Sequence, residues 1–129
     1  MNIFIVNQNP DSEYNDKDGE RYDYPLSIPN GRQISVGDIL IFNLSYKFAK
    51  KMKLGESRLT GIAKIDHIEH YLLRGANMGL ASYCWYKKFK KPLRFIDIGG
   101  DPRNNDNNSM NKVNSDLNTL ILSNIIEFL

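Results

Sequence analysis

Apolar residues occur in short bursts separated by polar, turn-forming stretches, and the spacing within each burst predicts a mostly β fold. Asn2–Asn7 (NIFIVN) is rich in β-branched and aromatic side chains and runs into turn chemistry at Gln8-Asn9-Pro10-Asp11, which predicts a first short, buried strand. Residues 11–21 (DSEYNDKDGER) are acidic and almost free of aliphatic side chains, so they are expected to be an exposed loop. Tyr22–Ile28 reads as extended, and Pro25 and Pro29 confine it to a sheet edge; Pro29-Asn30-Gly31 signals a turn. Ile39–Phe42 is a continuous apolar run that fits a strand buried on both faces.

Residues 46–58 (YKFAKKMKLGESR) read either as a short basic helix or as a loop, broken at Gly55. Leu59–Ile68 alternates in places and is expected to form a hairpin with residues 38–44, with Gly61 marking a bulge or a close backbone approach. Ser82–Phe89 alternates Tyr83, Trp85 and Phe89 against Cys84, Tyr86 and Lys88, and Leu93–Ile98 is expected to continue the extended pattern past Pro92. The Asn-rich stretch 103–111 reads as a second exposed polar loop. Leu117, Leu120, Ile121, Ile125 and Phe128 fall at helical spacing, with Asn114 or Ser115 as cap and Asp116 at the positive end of the dipole. The expectation is a curled sheet or open β-barrel of five to six strands with a C-terminal amphipathic helix packed on it, mainly β with some α.

Length changes this picture little: 129 residues make one domain, residues 1–129, with one core. No run approaches the ~18 consecutive apolar residues of a spanning helix, and the N-terminus lacks the layout of a signal peptide. A cytoplasmic chain with no membrane partner is expected. The single cysteine, Cys84, excludes an internal disulfide and a Cys-rich zinc site. Charge changes the picture more. Residues 1–31 carry a net −4, residues 32–94 a net +9 and residues 95–129 a net −3. A basic middle segment that also holds most of the aromatic residues suits a polyanionic partner, although solvated lysines on an ordinary surface would produce the same count.

Catalytic chemistry finds little support. Both histidines lie in Asp66-His67-Ile68-Glu69-His70, but on a strand His67 and His70 point to opposite faces and no second cluster completes a metal site, so no metal is expected. Cys84, between Tyr83 and Trp85, reads as buried and inert. There is no G-x-S-x-G elbow, no phosphate-binding glycine loop and no carboxylate–lysine spacing of a magnesium nuclease. Neither catalysis nor a cofactor is expected. What remains suits a planar base: Tyr22, Tyr24, Tyr46, Tyr83 and Trp85 (with Tyr86) as stacking surfaces, and Asn7 and Asn43 at strand ends as amides for a base edge. The same aromatics also suit a core. Lys47, Lys50, Lys51 and Lys53, with Lys87, Lys88, Lys90 and Lys91, are the candidate phosphate partners.

In order along the chain, NIFIVN, YDYPLSIPNG, VGDILIFNLS, LTGIAKIDHI and SYCWYKKFKKPLRFIDI, closed by a helix after a polar loop, resemble the PUA-like superfamily, in particular its EVE and YTH branch. The pair GDILIF and TGIAKI is similar to the central strands of EVE-type domains attached to modification-dependent restriction enzymes. The resemblance implies a non-catalytic domain that reads a methylated base in DNA, flipped into an aromatic pocket, as the specificity module of a restriction or defence protein. It further implies an effector nuclease or NTPase outside this chain. An RNA-binding module of the same fold and a protein-interaction domain with a basic face are the alternatives.

Overall fold

The structure, a computed structural model, describes residues 1–8, 21–44, 58–99 and 110–129. Among them six strands form one curled sheet: β1 (Ile3–Gln8), β2 (Arg21–Pro25), β3 (Ile39–Leu44), β4 (Arg58–Leu73), β5 (Ala76–Leu93) and β6 (Met110–Lys112), in the spatial order β2-β5-β4-β3-β1-β6. One short helix, α1 (Asn118–Ile125), follows between two 3-10 turns, Ser115–Leu117 and Ile126–Phe128. The mostly β sheet with a C-terminal helix is the architecture that the hydrophobic pattern predicts.

Strand β3 is buried at every position because it lies between β1 and β4 and is covered on both faces. Ile3, Ile5, Ile39, Ile41, Leu59, Ile62, Phe89 and Leu93 point to one face and pack against Ile121 and Ile125 of α1. Phe4, Val6, Leu40, Phe42, Ala63 and Ile65 point to the other, with Tyr22 and Tyr24 from one edge strand and Met110 from the opposite edge. A single apolar cluster that joins both edges requires the sheet to curl toward that face, which is therefore the inner one. The curl is held where Asn30, in the turn after β2, donates its Nδ2 to the Met110 carbonyl at 3.0 Å. Asp38 ties the starts of β1 and β3: its carboxylate accepts from the backbone N–H groups of Asn2 and Ser35, each at 2.9 Å.

Several boundaries differ from the sequence reading, for local reasons. Arg21 opens β2, and Met110 and Asn111 belong to β6 because they pair with Val6 and Ile5 of β1; the rest of both expected polar loops lies outside the described residues. Strand β4 runs on to Leu73 and β5 begins at Ala76, joined by a two-residue turn in which Arg74 and Gly75 both take positive φ (49° and 81°). The extended pattern ends at Leu93. Phe95–Ile98 is a 3-10 turn, because the Asp97 carboxylate accepts from the Arg94 N–H at 2.8 Å and Gly99 closes the turn at φ 87°. Asn114 caps the C-terminal helical segment, its Oδ1 accepting from the Asp116 N–H at 3.1 Å.

Candidate nucleic-acid interface

The register of β4 against β5 decides where the aromatic residues go. Lys64 pairs with Trp85, but Ile65 pairs with Tyr83, so Cys84 is an extra residue on β5. A bulge of this kind reverses the alternation beyond it. Tyr83 and Tyr86 thereby share the inner face with Phe42, while Trp85 turns to the outer one. This corrects the reading that Tyr83 and Trp85 share a face. Cys84 itself is exposed, not buried: the bulge lifts it out of the ladder, with its Sγ 3.6 Å from the Lys64 carbonyl.

On the inner face, the rings of Tyr83 and Tyr86 are stacked, 15° from parallel with centroids 6.3 Å apart. Each also lies tilted against Phe42, at 5.7 Å and 5.8 Å. Both tyrosines are half-buried at the margin of the inner cluster. Gly61 makes room for Tyr86: a Cβ at residue 61 would lie 3.3 Å from Tyr86 Oη and 3.0 Å from the Lys87 carbonyl, the close approach that its place in the strand suggested.

Tyr22 and Tyr24 play another part. They stack on each other with centroids 5.4 Å apart, and Tyr24 is only 1% exposed, its ring lying across Gly79 on β5. Burial, with the Asp23 charge beside it, pushes the Tyr24 phenol up to about 12. Both are core residues that bind the edge strand to the sheet, so the assignment of Tyr22 and Tyr24 to a base pocket is corrected. Between them Asp23 points the other way, where its carboxylate accepts from Tyr71 Oη at 2.5 Å across β5.

The two amides expected to read a base edge face the helix side of the sheet, following Ile5 and Ile41 in strict alternation. Asn43 donates its Nδ2 to Asn7 Oδ1 at 2.8 Å, across the parallel β1–β3 pair where the two residues are in register. Asn43 is 3% exposed, with Oδ1 buried and without a hydrogen-bond partner among the described residues. The pair therefore knits two strands and does not join Tyr83 and Tyr86, contrary to the single pocket expected from sequence.

Lys87, Lys88, Lys90 and Lys91 are all exposed on β5. They do not form one row. Lys91 is on the helix side, with Nζ 5.9 Å from the Phe128 ring centroid; Lys87, opposite Ile62, shares that face, and Lys88, opposite Gly61, takes the inner one. Among the described residues no strand pairs with the outer edge of β5 beyond Ser82. Lysines and a proline, Pro92, on such an edge also discourage association with another sheet edge, which is a sufficient structural reason for their presence. Tyr46, Lys47, Lys50, Lys51 and Lys53 lie outside the described residues.

His67 and His70 are exposed on the β4–β5 hairpin, His67 Nε2 lying 3.2 Å from Glu69 Oε1. Among the described residues no group of three or more His, Cys, Asp or Glu side chains converges as for a metal ion, and no helix is long and apolar enough to cross a membrane. Compared with known proteins, the chain matches no family model, no curated protein and no solved structure.

Proposed function

We propose that this domain binds nucleic acid without catalysis and holds one unpaired base against Tyr83 and Tyr86 on the inner face of the sheet. The observation that carries the reading is the half-buried, near-parallel Tyr83–Tyr86 pair beside an edge bearing Lys88 and Lys90. Aromatic faces stack on any base, and ammonium groups meet phosphate oxygens. The rings stand at most 6.3 Å apart, less than two base-stacking spacings of ~3.4 Å each, so a base stacks on the pair and not between its members. A methylated base in DNA is the favoured ligand, in keeping with the resemblance to EVE-type domains, and the domain would then lend specificity to an effector nuclease or NTPase outside this chain.

The test compares Tyr83→Ala and Tyr86→Ala with their Phe counterparts on an oligonucleotide carrying one unpaired N-methylated base. Loss of a stacking ring weakens binding roughly 5- to 150-fold, while Phe retains it and binding to an unmodified duplex barely changes. Equal losses on modified and unmodified DNA, with the variants folded, overturn the reading.

A further inference from the structure

We infer that Trp85 forms a second stacking platform, on the outer face of β5, and that the ligand is therefore single-stranded on at least one side of the base held inside. The inference rests on the nucleic-acid reading above and names the form of substrate it takes.

Trp85 is 42% exposed, although it sits in the middle of the longest strand of the sheet. The apolar cluster that α1 and the C-terminal residues cover takes in Phe89 and Leu93 of β5 and does not include Trp85. Its surroundings are cationic. Lys64 lies directly across from it on β4, and Lys87 is two residues along β5 on the same face. Directly opposed side chains in an antiparallel pair have Cβ atoms ~5 Å apart, and same-face neighbours on one strand are ~7 Å apart, so both ammonium groups are within reach of a phosphate flanking a base stacked on the indole. Asp66, the exposed extra residue on β4, is the nearby acid along the strand.

An exposed indole framed by ammonium groups is the arrangement by which single strands are held without regard to sequence: the ring takes a base face and the charges track the backbone. Only the bulge at Cys84 makes this possible here, since without it Trp85 and Tyr83 would share one face. Tyr83 and Tyr86 inside and Trp85 outside then fall within four consecutive residues, at an edge with no described strand beside it and with Lys88 and Lys90 along it. A strand passing over that edge meets both aromatic surfaces in turn. An intact duplex cannot, because its neighbouring bases remain paired and stacked.

Trp85 is the chain's only tryptophan, so its fluorescence reports on this platform alone. The experiment titrates the protein at low salt with a short end-labelled oligothymidylate, reading label anisotropy for binding and Trp85 emission for stacking, and repeats the titration with the same sequence as a duplex. The inference expects the single strand to quench Trp85 with the midpoint seen by anisotropy, and the duplex to quench it much less. Trp85→Ala, checked for folding by thermal melting, weakens single-strand binding roughly 5- to 150-fold. Anisotropy without quenching, or an unchanged affinity in folded Trp85→Ala, overturns the outer platform and leaves the inner site standing. Equal quenching by duplex overturns the single-strand assignment. No anisotropy change with either probe overturns both this inference and the nucleic-acid reading.

Discussion

The ring of Tyr24 occupies the space that any side chain at position 79 would need. A Cβ built on Gly79 would overlap Tyr24 Cζ, and the two residues are directly paired between β2 and β5. The glycine is thus the partner that turns an edge-strand tyrosine into a core residue. Gly79→Ala is expected to destabilise the fold by about 1–3 kcal/mol, the usual penalty for overpacking, and Tyr24→Ala by about 3–5 kcal/mol through the cavity it leaves. Chemical denaturation of both variants checks this.

The hydrogen bond from Tyr71 to Asp23 ties β4 to the edge strand β2 across β5. Asp23 is 2% exposed, so removing the hydroxyl leaves a carboxylate oxygen without that donor in a place water reaches poorly. Tyr71→Phe is expected to cost about 1–3 kcal/mol in thermal or urea unfolding. A change within a few tenths of a kcal/mol would show the bond to be dispensable.

Tyr24 also sets an alkaline limit. Its phenol titrates near 12 in the folded chain against 10.0 for the ordinary group, because burial and the Asp23 charge oppose ionisation. A raised pKa means that the folded state favours the protonated form. Its contribution is complete below pH 10 and is lost as pH rises from 10 through about 12, amounting to roughly 2–3 kcal/mol. The difference in unfolding free energy between wild type and Tyr24→Phe is expected to change across that window and to stay flat between pH 7 and 9.

Cys84 is expected to react with a thiol reagent in the native protein at close to the rate of the unfolded chain, since it is exposed at the bulge. Strong protection would place it back inside the sheet. It would also return Trp85 to the side of Tyr83 and so remove the two-faced arrangement of β5.

The strands themselves were largely legible. The run Ile39–Phe42 announced a strand covered on both faces, and the amphipathic spacing from Leu117 to Phe128 announced the helix. The bulge at Cys84 was not, because neither a glycine nor a break in polarity marks it; only pairing with β4 fixes that register. The Arg74-Gly75 turn escaped because arginine rarely takes the first left-handed position of such a turn. The candidate site suffered most from this. Period-two alternation assigns Tyr83 and Trp85 to one face, and nothing in the sequence pairs Tyr24 with Gly79 or Asn7 with Asn43.

Nucleic-acid binding by this domain is tested most sharply by the salt dependence of its affinity for an oligonucleotide with an unpaired base, followed by anisotropy from low to moderate ionic strength. With about four phosphates met by lysines such as Lys64, Lys87, Lys88 and Lys90, log K is expected to fall linearly with log salt at a slope near −3. Absence of binding at low salt, or an affinity that does not change with salt, would show that the domain does not hold nucleic acid through these lysines.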